Sequence, residues 1–192
     1  MKKPFYVFLR IVICTCIIIG GILYIFGFYP IVSVDGTLIS QRAWQRTLNA
    51  EKQVVNVHAH ATHIPLIDFV SPKNARLLDT IRQTTLTFLI DSVIIQNQGS
   101  VVVPDLDQLS LQRVNDKLRK TPITESTAAT VYGLDLATLK QTVLVPQARQ
   151  EILSETLALE QKDFSGWLLN ARAHTRVKFF FVSFQWDQDG VK

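Results

Sequence analysis

The first feature of the chain is an uncharged apolar segment that precedes a longer region of mixed apolar and polar residues. No charged side chain occurs from residue 11 to residue 34, a run of 24 positions. A helix needs only about 20 apolar residues to cross the hydrocarbon of a bilayer. Aromatic residues collect towards the far end of the run, where rings favour the membrane–water boundary: Tyr24, Phe26, Phe28 and Tyr29. We therefore predict a transmembrane helix over residues 11–30, ended by Pro30.

The flanking residues predict that this helix is retained and which way it is oriented. A cleaved secretory signal has a shorter apolar stretch and a small-residue cleavage site, whereas bulky aromatic side chains occupy that place here. Lys2, Lys3 and Arg10 precede the span, and the next basic residue is Arg42. Because positive charge stays on the cytoplasmic side, we predict a single-pass protein of the cell membrane with an extracytoplasmic C-terminal part. The predicted regions are a cytoplasmic tail over 1–10, the anchor over 11–30 and an extracytoplasmic domain over 31–192.

Alternating apolar residues directly after the anchor predict a β-hairpin. Two short arms, 31–34 and 37–39, flank Asp35-Gly36, a pair that favours the two positive φ angles of a type I′ turn. A hairpin of two strands is only marginally stable in water, so it needs a third strand. The β-branched and aromatic segment from Val177 to Phe184 is the predicted partner.

Helical spacing of apolar residues accounts for most of the chain between the hairpin and this last strand. Ser40, Ser71-Pro72, Pro104-Asp105 and Asp135 are typical of helix starts, and Gly99 and Gly133 of helix ends. The predicted helices run from 41, from 72 to about 98, from 105 until Pro122, over 125–132, from 135 to about 161 with a kink or break at Pro146, and over 164–173. Residues 56–70 are predicted to be irregular. The fold class is therefore mainly α, with a transmembrane helix, a helical domain and a small antiparallel sheet.

Charge and cysteine content narrow the functional classes. The formal net charge is +4, but three of the 20 basic residues precede the span, which leaves 17 against 16 acidic residues in the remainder. A nearly neutral domain gives no support for nucleic-acid binding, which needs a basic patch. Both cysteines, Cys14 and Cys16, lie within the predicted span, so the exported domain contains no disulfide.

The segment from Val32 to Trp44, VSVDGTLISQRAW, resembles the opening of chaperone domains of the SurA, PrsA and trigger-factor type. Asp35 stands where that family has Asn, and Ala43 where it has an acidic residue. Further along, Val102-Val-Pro-Asp105 and the segment YGLDLATLK over 132–140 resemble two helix starts of the family in the same order. The resemblance covers roughly residues 31–170.

This resemblance implies a SurA-like helical module that shields apolar segments of unfolded, exported polypeptides. Many members of the family insert a parvulin prolyl isomerase domain before the C-terminal segment. Only about 13 residues separate Gln161 from His174, which is far too few for that insertion. We therefore expect no isomerase and no other enzymatic activity, with unfolded polypeptides and, through the N-terminal helix, the lipid bilayer as partners.

The one cluster of potential metal ligands in the sequence is His58, His60 and His63. A catalytic zinc site takes three protein ligands and leaves a position open. There is no HExxH pattern, however, and the nearest downstream carboxylate is that of Asp68. The cluster is better interpreted as part of a polar connecting segment, and we expect no metal and no cofactor.

Two other functions remain as alternatives to a holdase. One is a scaffolding membrane protein that binds a single folded partner, and the other is a metal-dependent enzyme that uses His58, His60 and His63. A contiguous exposed apolar surface favours the chaperone, one partner at fixed stoichiometry favours the scaffold, and stoichiometric zinc favours the enzyme. The sequence does not determine the client or the oligomeric state.

Overall fold

The computed structural model describes Thr15, Gly21 and residues 25–192. The predicted cytoplasmic tail over 1–10 and 12 of the 20 residues of the predicted transmembrane helix over 11–30 lie outside the described residues. The end of that prediction is wrong, because residues 26–29 are not helical, Gly27 has a φ of 69° and Pro30 already belongs to a strand. Within residues 25–192, no single helix is both long and apolar enough to cross a membrane. Pro72–Val102 and Leu106–Lys120 meet the length and composition requirements only as a pair, and that pair is bent by 112° at its break.

The predicted hairpin is confirmed. Strand β1, Pro30–Val34, pairs antiparallel with strand β2, Thr37–Ser40, and Val34 lies opposite Thr37. Asp35 and Gly36 form the turn with φ angles of 48° and 89°. Both angles are positive, as the predicted turn type requires.

The C-terminal segment completes the sheet with a shorter strand than predicted. Strand β3, Val177–Phe179, pairs antiparallel with β1, which gives the strand order β2-β1-β3. The predicted strand over 177–184 is wrong beyond this point. Phe180 still donates its N–H to the carbonyl oxygen of Ile31 at 2.7 Å, but Phe181 has a φ of 60°. A left-handed residue takes the chain out of the extended conformation, so pairing stops there.

The chain ends in a second small hairpin, in which β4, Trp186–Asp187, pairs antiparallel with β5, Gly190–Val191. The N–H of Val191 donates to Oγ1 of Thr87 at 3.0 Å. This bond docks the C-terminal hairpin on the long central helix.

Helix α1, Gln41–Ala61, follows β2 directly, and the Ser40 hydroxyl accepts the N–H of Ala43 at 3.2 Å as an N-cap. The helix continues through residues 56–61, so the prediction that 56–70 is irregular is wrong for its first six residues. That stretch contains no glycine or proline. The helix ends only where His63 adopts a φ of 58° and Pro65 follows.

A 3₁₀ turn, Pro72–Asn74, leads into helix α2, Ala75–Val102. The prediction that Gly99 ends this helix is wrong. A Cβ at position 99 would lie 3.0 Å from Cδ2 of Leu106 and 3.2 Å from Cδ2 of Leu153. Glycine is therefore needed for close packing between helices and not for a cap.

The remaining helices are α3, Leu106–Lys120; α4, Glu125–Tyr132; α5, Leu136–Leu139; α6, Val145–Leu159; and α7, Phe164–His174. Gly133 ends α4 with a φ of 65°, and Asp135 caps α5 by accepting the N–H of Thr138, both as predicted. A π-helical turn, Lys140–Leu144, joins α5 to α6. Pro146 explains this turn, because it cannot donate a hydrogen bond to the carbonyl four residues earlier.

The buried core runs along α2 and is continued by the packing of α3 against α6. On one side, the sheet, α1 and α7 pack against Leu86, Ile90 and Ile94 of α2. Further along, Ile95 belongs to a second apolar cluster that also contains Leu106 and Leu153. The domain is thus mainly helical with a small antiparallel sheet, as predicted.

Candidate functional site

Helices α3 and α6 lie side by side, and ion pairs connect them across their outer surface. Arg113 binds Glu155 in a bidentate manner at 2.7 and 2.8 Å. Lys117 contacts both carboxylate oxygens of Glu151, at 2.6 and 2.8 Å. The hydrogen bond from Arg113 holds the pKa of the Glu155 carboxyl below its usual value. These charged contacts are exposed, so they contribute little to the stability of the fold.

An apolar groove opens between the C-terminal half of α3 and the start of α6. Its volume is about 330 Å³, within the range of ligand-binding pockets. The apolar lining consists of Val114, Leu118, Ile123, Leu144 and Ala148, and the polar lining of Lys117, Lys120, Thr121, Gln147 and Glu151. We call this feature the α3–α6 groove.

Two residues that line the α3–α6 groove lie next to interruptions of its helices. Pro122 follows the end of α3, and the chain beyond it carries Ile123 to one wall. Leu144 is the last residue of the π-helical turn and contributes to the lining. The floor is formed by Val114 and Ala148, which are both buried.

The lining of the α3–α6 groove is suited to binding an apolar segment. Its apolar side chains offer dispersion and hydrophobic contact to an apolar segment of a ligand. Lys117, Lys120 and Glu151 place both signs of charge among its polar lining residues.

Apolar spacing predicts Leu118 on the inward stripe of its helix, but the sequence alone did not associate Ile123 or Leu144 with it. These two residues lie beyond a proline and in a π-helical turn, respectively. Their proximity depends on how α3 and α6 pack together. The only features of the sequence that point to these two positions are the helix-interrupting prolines at 122 and 146.

The three histidines do not come together. His58 and His60 are both exposed on α1, and two residues along a helix amount to about 200° of rotation, so they project from different faces. His63 lies beyond the end of that helix. Among residues 25–192, with Thr15 and Gly21, no group of three or more His, Cys, Asp or Glu side chains could hold a metal ion.

The tryptophans belong to the folded core and its margin, and they do not line the α3–α6 groove. Trp44 is buried and meets Phe184 edge to face with ring centroids 6.1 Å apart. Trp167 is half-buried and stacks on Phe164 at 6.1 Å. Trp186, which the sequence pattern did not place, lies in β4, and its ring lies 5.9 Å from the guanidinium carbon of Arg172.

In comparisons with known proteins, no protein-family model, curated protein or solved structure matches this chain.

Proposed function

We propose that this protein is a membrane-anchored, extracytoplasmic holdase-like module that binds apolar segments of unfolded, exported polypeptides and has no prolyl isomerase activity. The observation that carries the proposal is the α3–α6 groove, an apolar depression open to solvent and bordered by charges of both signs. A holdase needs an exposed apolar surface, and the apolar lining of this groove supports that role.

The arrangement of elements lends support to a SurA-like architecture. The hairpin, the capped helix α1 and the capped helix start at Asp135 occur at the segments on which the resemblance rests. The uncharged run over 11–34 supports the membrane anchor. A protein tethered in this way would meet its clients as they emerge on the outer side of the membrane.

Binding is best tested with the full chain in lipid nanodiscs and a permanently unfolded test protein, carboxymethylated so that it cannot refold. Fluorescence anisotropy of the labelled test protein gives the affinity. Ile123→Ser and Leu118→Gln remove apolar contact area from the groove. We expect each to weaken binding about thirtyfold, because burial of a large aliphatic side chain contributes on the order of 2 kcal/mol.

Leu111→Ser is the matched control, since Leu111 is an exposed leucine of the same helix α3 that does not line the groove. It should leave the affinity unchanged. Equal affinities for all four proteins would contradict the assignment of the groove. Failure of the wild type to bind any unfolded protein would contradict the holdase and favour a scaffold for one folded partner.

Topology and enzymatic activity are tested separately. Gln188→Cys, in a chain with Cys14→Ala and Cys16→Ala, should react with a membrane-impermeant thiol reagent in intact cells. Labelling that requires lysis would contradict the extracytoplasmic placement. A coupled assay on a short X-Pro peptide should show only uncatalysed isomerisation, over tens to hundreds of seconds; acceleration in proportion to protein concentration would contradict the absence of isomerase activity.

A further inference from the structure

The sheet topology brings the C-terminal segment back to the place where the chain emerges from the predicted anchor. Strand β1 begins at Pro30, the last residue of the predicted anchor. Strand β3 runs antiparallel to β1, with Val177 opposite Val34 and Phe179 opposite Val32. The residues that follow Phe179 therefore arrive beside the start of β1, at the anchor end of the sheet.

Phe181 projects outward at this end. Its side chain is 87% exposed, and its φ of 60° is an unfavourable conformation for an aromatic residue. Phe179 and Phe184, on either side of it, pack against the core. The ring of Phe181 instead meets Tyr29 edge to face, with centroids 6.2 Å apart. It thus extends the aromatic cluster at the end of the predicted span.

Other apolar and cationic side chains share this end of the domain. Ile25, Phe26 and Phe28 are exposed. The guanidinium of Arg42 lies 4.7 Å from the ring centroid of Phe28, and the ammonium of Lys178 lies 5.4 Å from that of Phe180. Aromatic rings paired with cations are typical of the membrane interface, where rings lie at headgroup depth and cations meet lipid phosphates.

We infer that the loop over residues 180–182 is a second membrane contact, in which Phe181 enters the headgroup region of the bilayer that holds the anchor. A phospholipid surface is the occupant that fits, because the loop continues the aromatic cluster of Tyr29 and the uncharged N-terminal run. The domain is then held against the membrane at two points and cannot rotate freely about its tether. This inference rests on the membrane anchor of the proposed function.

The test uses the full chain with Cys14→Ala and Cys16→Ala, reconstituted in vesicles of phosphatidylcholine and phosphatidylglycerol. Single cysteines at three positions carry an environment-sensitive nitrobenzoxadiazole label. Phe181→Cys probes the loop, and Leu159→Cys is the matched control, since Leu159 is also 87% exposed and lies at the end of α6. Phe26→Cys reports on the anchor. Quenching by aqueous iodide is compared with quenching by spin-labelled lipid.

We expect the labels at positions 181 and 26 to be shielded from iodide at least threefold relative to position 159, and to be quenched by the lipid. A label at position 181 that behaves like the one at 159, with position 26 shielded, would overturn the loop contact and leave the anchor standing. Equal lipid quenching at 159 and 181 would also overturn it, because position 181 would then have no special environment. Full iodide access at position 26 would overturn the anchor itself, and the inference with it.

Discussion

Arg172 of α7 binds Asp91 of α2 through two parallel hydrogen bonds, with Nε–Oδ1 and Nη2–Oδ2 distances of 2.9 and 2.6 Å. The two side chains are only 14% and 16% exposed. Burial raises the pKa of the Asp91 carboxyl, despite the opposing attraction of Arg172. The same guanidinium donates to the carbonyl oxygen of Gln188 at 3.1 Å. One arginine therefore connects the central helix, α7 and the C-terminal hairpin.

Removal of one partner from this pair should be costly. Asp91→Ala leaves the Arg172 guanidinium without its carboxylate in a mostly buried site, and we expect a loss of about 3 kcal/mol in the free energy of unfolding. Urea denaturation of the full chain in detergent measures it. Asp79→Ala is the control, because Asp79 pairs with Arg82 on the exposed surface of the same helix, where such pairs contribute about 0.5 kcal/mol. Similar losses for the two variants would contradict a structural role for the buried pair.

The closure of the sheet by its C-terminal strand depends on the backbone bond from Phe180 to Ile31. Phe180→Pro removes this donor, and we expect a loss of about 3 kcal/mol together with aggregation. Phe180→Ala keeps the N–H and removes only a half-buried ring, so it should be distinctly milder. Truncation after Arg176 removes β3 altogether and should be at least as damaging as the proline. A truncated chain that unfolds at the wild-type temperature would show that β3 is dispensable.

Gly99 is expected to tolerate no larger aliphatic side chain. Gly99→Val should destabilise the protein by about 2 kcal/mol, because its methyl groups would be forced against Leu106 and Leu153. Ser100→Val introduces the same side chain at the next, exposed position of α2 and should change the stability by less than about 0.5 kcal/mol. Thermal unfolding followed by circular dichroism compares the two. Equal losses of stability would mean that the low helix propensity of valine, and not crowding against Leu106 and Leu153, causes the effect.

The N-cap of α5 should make stability depend on pH in the acid range. Hydrogen bonds from the backbone N–H and then the hydroxyl of Thr138 lower the pKa of Asp135 below its ordinary 3.8. A lowered pKa in the folded state contributes stability above the unfolded value and loses it as the pH falls through the folded value. Asp135→Asn keeps a capping side chain that does not titrate. The difference in melting temperature between the two proteins should be constant at neutral pH and change only below about pH 4; a difference that does not vary with pH would contradict this assignment.

Local signals in the sequence were sufficient for the hairpin and for most helix starts. Asp35-Gly36, Ser40, Gly133 and Asp135 act through their own backbone angles or through hydrogen bonds to residues three or four positions away. Because these interactions involve only nearby residues, the local sequence is enough to predict where they form. The mainly helical fold class with a small sheet follows from these signals and from apolar periodicity.

Several predictions failed, each for its own physical reason. Helix α2 passes through Gly99, since Leu106 and Leu153 occupy the space beside it. Helix α1 extends through His58 and His60, because residues 56–61 contain no glycine or proline to end it. The last strand stops at Phe179 although the residues beyond it are strand formers, because the left-handed φ of Phe181 turns the chain away from β1 after the bond from Phe180 to Ile31.

By itself, the sequence determined the uncharged N-terminal run, the hairpin and the capped helices, because each depends on neighbours along the chain. Only the tertiary structure decided the α3–α6 groove, in which Leu118, Ile123 and Leu144 meet across two helix breaks, and the contact of Tyr29 with Phe181. Both depend on packing between segments far apart in sequence, and a hydrophobic pattern specifies that a face is buried without specifying what it is buried against.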